Sequence, residues 1–347
     1  MKKIRVALAG VGNCASNLIQ GIQFYKNNPD CDVGLSHRVF GGFDVSDIEI
    51  VAAFDIASNK VNKDISEAIF QSPNCTEVIC DVPFMGVKVH KAPVLDGWDI
   101  HLKDKVEVSD YPDCNVREVL VNTKPDVLVV LLPTGSVEAC LMYITTALQL
   151  GIAVINGIPV LSTHDSKIVE MAINNKTAII GDDFKSQIGG AILHHSLMHL
   201  LDLRGVKISD SYQLNFAGNT DFLNLITRGA TKHASKARGV KAGLEQEVDL
   251  SINVSYLENC NDKKTCIIHI EGENFSRCPI TIDAKLTVID SANASGVMVD
   301  AIRCIAKAKE KGIYGRLDAP SSFFMKSPFI QMPDDIAHRA VEEFMCD

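Results

Sequence analysis

Continuous apolar runs alternate with helical periodicity through the first half of the chain. IRVALAG (4–10), IEIVAAFD (48–55), DVLVVLL (126–132), IAVIN (152–156) and TAIIGD, which ends at Asp182, each read as a strand. Apolarity without alternation predicts strands covered on both faces. VEACLMYITTALQLG between two of these runs predicts a helix with Ala139, Met142, Ala147 and Leu148 on its buried face. Downstream of TAIIGD, the spacing of Ile188, Ile192, His195 and His199 predicts another helix. Strands alternating with helices imply a doubly wound α/β unit around a parallel sheet.

Beyond about residue 200 the pattern changes. VKISDSYQLNF, VDLSINVSY, KTCIIHIEGE and PITIDAKLTVID alternate inward and outward positions, with few helices between them. They predict an open, mainly antiparallel sheet in a second, α+β domain. ANASGVMVDAIRCIAKAKEKG (292–312) then predicts a helix with Val297, Val299, Ala301, Ile302 and Ile305 inward and Gly312 as its stop. The expected organisation is residues 1–190 with 292–347 as one domain and 191–291 as a catalytic and oligomerisation domain. Residues 29–47 and 71–114 carry no clear periodicity and read as insertions in the first domain.

Composition narrows the function. With 34 basic and 43 acidic residues the formal charge is −9, and no basic run is long enough to track a phosphate backbone, so nucleic acid is not an expected partner. No apolar run spans a bilayer, and the N-terminal MKKIRVALAGVG leads into a glycine turn rather than a cleavage site. The 11 cysteines are scattered without a Cys-x-x-Cys pair, which fits reduced thiols in the cytoplasm. A soluble, unexported protein is expected.

GVGNCA (10–15) follows the first strand and opens a helix through Leu18, Ile19 and Ile22. In the dinucleotide fingerprint the first glycine permits the turn, the second lets a pyrophosphate approach the backbone, and the third position must be small. Gly10, Gly12 and Ala15 occupy those positions, with Asn13 and Cys14 between them. Asp55 ends the second strand, where a carboxylate accepts hydrogen bonds from ribose hydroxyls and repels a 2′-phosphate, which favours NAD over NADP. A tight strand-to-helix turn and a surface aspartate are the plainer readings of the same residues. LLPTGS (131–136), with Pro133 and Thr134, and NGIPV (156–160) are candidate cofactor walls at other strand ends.

Asp182 and Asp183 stand at the end of the last strand, beside Lys185 and Ser186. Lys232 and Lys236 in ATKHASKARG would share one helical face, which is unfavourable unless an anion lies between them. LNFAGNTDF (214–222) offers Asn215, Asn219 and Asp221, and amides both donate to and accept from sugar hydroxyls. The combination points to a phosphorylated polyhydroxy ligand.

GVGNCASNL, GDDFKSQIGG, LNFAGNTDFLNL, the Lys232 and Lys236 pair, NDKKT, VIDSANASGV and FFMKSP together closely resemble the myo-inositol-1-phosphate synthase family in its shorter, archaeal and actinobacterial form. The resemblance runs in order over nearly the whole chain. It implies a Rossmann domain that binds NAD and an isomerase acting on glucose 6-phosphate. Hydride leaves carbon 5 for NAD, the ketone acidifies carbon 6, the enolate attacks the aldehyde at carbon 1, and the hydride returns. It further implies that Lys232 moves the proton of the oxidised hydroxyl, that Lys264 and Lys326 stabilise oxyanions, and that Lys236, Ser186, Asn215 and Asn219 hold phosphate and hydroxyls. Asp183, Asp221 and Asp290 would orient the lysines and the nicotinamide end, and Asp182 would belong to the cofactor site.

Other readings stay open on the sequence. Asp182 and Asp183 fit a helix cap, Asp290 fits a cap for the helix from Ala292, Lys326 fits a snorkelling chain over Phe323 or Phe324, and either Lys263 or Lys264 fits the active lysine. His195 and His199 suit a satisfied interface better than zinc. Some family members use a divalent cation, and the sequence is compatible with either mode. ARGVKAG after Lys236 departs from the polar continuation usual in the family. The open sheet predicts assembly into a homotetramer. The competing functions are an NAD-dependent sugar-phosphate or amino-acid dehydrogenase and a non-catalytic NAD-sensing protein.

Overall fold

The computed structural model describes residues 3–98, 100–228 and 248–346. A seven-stranded sheet contains β1 (Ile4–Ala9), β4 (Ile48–Asp55), β5 (Val89–Lys91), β6 (Val127–Val130), β7 (Ala153–Asn156), β8 (Ala178–Ile180) and β13 (Gly315–Arg316). Their order is β13-β8-β7-β6-β1-β4-β5, and every ladder is parallel. Strand order reverses between β1 and β6, so a crevice opens at their carboxyl ends, where open α/β sheets bind ligands.

The apolar pattern explains the layers. Along β1, Val6 and Leu8 face a core with the helices Asn13–Asn27 and Asp290–Lys311, while Ala7 and Ala9 face the opposite core with the helices Val116–Thr123, Val137–Gln149 and Ser166–Asn174. Val127 and Val129 against Leu128 and Val130 repeat that division on β6. Each fully buried aliphatic side chain contributes roughly 1.5–3 kcal/mol, so two-sided burial selects these sequences for the sheet centre.

Several expectations need correction. The helix Val137–Gln149 buries Cys140, Tyr143 and Ile144 with Ala139, Ala147 and Leu148, and Met142 lies only at the margin. In the helix Gly190–Leu203 the buried positions are Gly190, His194, Met198 and Leu201, and Ile188 precedes the helix and is exposed. The two aperiodic stretches contain real strands. The short hairpin of β2 (Val39–Phe40) and β3 (Phe43–Asp44) lies in one, and edge strand β5 lies in the other. Two or three residues are too few to show a period.

The second sheet contains β9 (Lys207–Ala217), β10 (Asp249–Tyr256), β11 (Lys263–Glu273) and β12 (Pro279–Ile289) in the order β10-β9-β11-β12. β11 runs antiparallel to both neighbours, but β10 pairs parallel with β9, so the sheet is mixed. The long connection between β9 and β10 permits that crossover, and it includes the helix Thr220–Arg228. The helix Gly190–Leu203 covers one face of this sheet. β12 passes directly into the helix Asp290–Lys311, which ends at a left-handed Gly312 and packs along the helix Asn13–Asn27. No helix among the described residues is long and apolar enough to cross a membrane.

Candidate active site

The glycine turn lies at the crevice between β1 and β6. Gly10 has φ +101°, and a Cβ there would meet the carbonyl oxygen of Leu131 at 2.5 Å. Only glycine supplies both the conformation and the close approach. A Cβ on Gly12, in contrast, would meet nothing within 4 Å, so the missing side chain leaves space above the turn. The helix that starts here has no side-chain cap and no acidic residue in its first turn, so its amide groups remain available to an anion. These features fit the diphosphate of a dinucleotide.

Gly10, Gly12, Asn13 and Cys14 line a cavity of about 310 Å³, together with Asp55, Pro133, Thr134, Asp183, Ser186, Asn219, Asp221, Lys264, Asp290 and Lys326. Asp55 is anchored at the turn: its Oδ2 accepts from the Val11 amide at 2.9 Å, and its Oδ1 from Ile56 and Ala57 at 2.7 and 3.0 Å. Asn13 accepts from the amides of Cys75 and Thr76, which ties the 75–76 segment to the turn. Burial, with Asp290 and Asp262 nearby, pushes the Cys14 thiol up to about 12, so it is a neutral wall. Asp96 accepts from the Glu138 and Ala139 amides at 2.8 and 3.0 Å, which fills the start of the helix after LLPTGS with the protein's own carboxylate.

Two lysine and aspartate pairs give the cavity its chemistry. Lys264 Nζ donates to Asp290 Oδ1 at 2.9 Å and lies 5.6 Å from the centre of the Phe222 ring. Burial acts to raise Asp290, but the Lys264 ammonium overrides it, with help from Lys326, and holds the carboxyl below its ordinary value. Lys326 Nζ donates to Asp183 Oδ1 at 3.0 Å, and Asp183 Oδ2 is buried without a hydrogen-bond partner among the described residues. Asp221 accepts from the Thr134 hydroxyl at 3.1 Å, which joins the second sheet's helix to the β6 loop. Lys263 is exposed, so Lys264 is the lysine of this pair that reaches the site.

Three positions expected at the site do not line the cavity. Ala15 is buried in the core beneath the turn. Asp182 is fully buried and accepts from Asn156 Nδ2 at 2.7 Å, Ser162 Oγ at 2.6 Å, and the Thr163 amide and hydroxyl at 3.0 and 2.7 Å. It braces the loop after β7 instead of capping the next helix, whose N-cap is Gly189. Asn215 sits within the second sheet, accepting from Gln213 and donating to the Asn253 carbonyl. Asn219 does line the cavity, but it also receives the Phe222 amide and donates to Asp262. Lys232 and Lys236 lie outside the described residues.

Other residues at the site are not distinguished individually by the sequence pattern. Asp262, 1% exposed, accepts from Asn219 and from the Ser291 amide and hydroxyl, and burial raises its carboxyl. It stands directly before two lysines in an apparent surface turn. Lys60 and Trp98 also line the cavity, Trp98 from a stretch without period. Among the described residues no group of three or more His, Cys, Asp or Glu side chains is placed to hold a metal ion, and His195 and His199 stack with centroids 5.9 Å apart.

Comparison with known proteins gives the site its context. The family model for myo-inositol-1-phosphate synthase matches residues 189–291. The inositol-3-phosphate synthase of Mycolicibacterium smegmatis is 40% identical over 99% of this chain and 98% of its own. That of Corynebacterium glutamicum is 38% identical, again over 99% and 98%. The crystal structure of a myo-inositol-1-phosphate synthase-related protein from Thermotoga maritima has a TM-score of 0.81 at 24% identity, over 99% of this chain and 98% of that one, and shares the fold.

Proposed function

This chain belongs to the myo-inositol-1-phosphate synthase family and is an isomerase of inositol biosynthesis, and from that premise we propose how its own residues convert D-glucose 6-phosphate to 1L-myo-inositol 1-phosphate. The observation that carries the reading is the meeting of two pairs, Lys264 with Asp290 and Lys326 with Asp183, at a cavity that the glycine turn also lines.

NAD would be held by Gly10, Gly12, Asn13 and Cys14 at the turn, by Asp55 at the ribose, and by Pro133 and Thr134 alongside. When bound it supplies a hydride acceptor that later gives the hydride back, so no net redox change results. Lys264 and Lys326 present positive charge and N–H donors to the sugar oxygens that become negative during enolisation and ring closure. Asp290 and Asp183 hold those ammonium groups in place. Lys232 takes the proton of the hydroxyl being oxidised, and Asp221 helps to orient the lysines. Ser186 and Lys236 hold the phosphate, and Asn219 meets hydroxyls with the hydrogen-bonding capacity left after Asp262 and Phe222.

The active assembly is a homotetramer formed sheet to sheet. The support is the outer face of the second sheet, where Leu214, 40% exposed, stands beside the half-exposed Tyr212, Phe216 and Ile267. All eleven cysteines are free thiols, which suits the reducing cytoplasm.

The test is incubation with NAD and glucose 6-phosphate, followed by phosphorus NMR for inositol phosphate and by absorbance for NADH. Cyclised product without NADH accumulation is expected. Accumulation of NADH in proportion to an oxidised sugar, with no cyclised product, would replace the synthase reaction with that of a dehydrogenase.

A further inference from the structure

We propose that Lys60 is a positioning residue for the dinucleotide turn, gripping the Val11 peptide from the side opposite Asp55 and bringing a buried positive charge to the cofactor's phosphates. The inference rests on the reading that this cavity takes NAD.

Lys60 is 3% exposed and lines the same cavity as Gly10, Gly12 and Cys14. Its Nζ donates to the Val11 carbonyl at 2.9 Å and to Asn74 Oδ1 at 2.8 Å. Asn74 Nδ2 in turn donates to the Val11 carbonyl at 3.1 Å and to the Ile69 carbonyl at 2.9 Å. From the other direction the Val11 amide donates to Asp55 Oδ2 at 2.9 Å. The residue between the two fingerprint glycines therefore has its N–H fixed by the last side chain of β4 and its C=O by two side chains from beyond that strand.

Both acceptors bonded to Lys60 are neutral, so its charge is not cancelled by direct contact. Burial lowers its affinity for the proton, and Asp55 opposes that effect without a direct bond. A dry ammonium costs free energy unless an anion shares the site. The open space over Gly12 and the uncapped helix start place such an anion nearby. A dinucleotide diphosphate would then relieve the cost of the buried charge, and the fixed Val11 peptide would keep the Gly12 and Asn13 amides in register.

The experiment titrates the full-length protein with NAD and follows the fluorescence of Trp98, the single tryptophan, which lines the cavity. A saturable change in the parent protein tests the NAD reading itself, and its absence would remove that reading. Given binding by the parent, Lys60→Met, which keeps the apolar stem, should weaken NAD at least tenfold, and Lys60→Arg should recover part of the loss. The KM for glucose 6-phosphate at saturating NAD should stay within about twofold of the parent. NAD affinity of Lys60→Met equal to the parent's would overturn the proposal, as would an equal loss for sugar phosphate and NAD. Should Lys60→Met fail to fold, Asn74→Ala decides: a severalfold weaker NAD affinity supports the proposal, and unchanged affinity overturns it.

Discussion

Lys326 and Asp183 meet twice. The Lys326 amide donates to the Asp183 carbonyl at 2.7 Å, and the Lys326 ammonium donates to Asp183 Oδ1 at 3.0 Å. Asp183 has φ +65°, a left-handed conformation that Asp and Asn tolerate better than other side chains. Backbone and side chain together thus hold one ammonium group at the cavity.

Asp183→Asn keeps the backbone preference and removes the charge. The ammonium loses its orientation, and kcat should fall on the order of 100-fold, the cost of a roughly 1 Å misplacement in a reacting geometry, while the melting temperature changes little. Asp183→Ala should lose similar activity and also about 1 kcal/mol or more of stability through strain. Steady-state assays and thermal melts on the two variants check this. Equal melting temperatures for them would refute the role assigned to the backbone.

Lys264→Met should lower kcat by about 100- to 1,000-fold, the usual effect of deleting one oxyanion donor. It also strands the Asp290 carboxylate, which Lys264 now holds ionised below its ordinary range. Stability should fall with the single change and return in Lys264→Met with Asp290→Asn, because the double variant removes the uncompensated charge. Activity should not return. A double-variant cycle by urea unfolding and assay separates the two effects.

Asp182 accepts four hydrogen bonds, one from Asn156 at the end of β7 and three from the loop after it. Asp182→Ala leaves buried amide and hydroxyl donors without an acceptor, so it should cost about 3 kcal/mol of stability. Chemical denaturation measures that loss. A variant as stable as the parent would show that the loop is not supported in this way.

His194 is fully buried, bonded to Ser211 and Gln213, and burial lowers its pKa to about 4 from an ordinary 6.5. Between these values the unfolded chain binds a proton that the folded chain refuses, so stability falls as pH drops from 6.5 toward 4. The loss should reach about 3 kcal/mol. His194→Gln removes the titration, and its stability should depend correspondingly less on pH over the same window. Unfolding curves at pH 6.5, 5 and 4 make the comparison, and parallel slopes for variant and parent would count against it.

The sequence by itself determined the elements that depend on local physics. Short apolar runs separated by helical periods mark strands covered on both faces, so β1, β4, β6, β7 and β8 were legible, and with them the parallel sheet. The Gly10 turn was legible because its backbone excludes a side chain. The long alternating runs of the second sheet were legible as strands, yet alternation carries no direction, so the parallel pairing of β10 with β9 was not.

Tertiary structure decided which member of each neighbouring pair faces the cavity. Lys263 and Lys264 are adjacent on a strand, and the chain directions there alternate, so the pairing of β11 with its neighbours sends Lys264 inward and leaves Lys263 in solvent. Asp182 and Asp183 divide in a similar way, one bracing a loop and the other meeting Lys326. Lys60 and Asp262 are buried because elements distant in the chain enclose them. Burial of a charge depends on what packs over it, and that partner is far away in sequence.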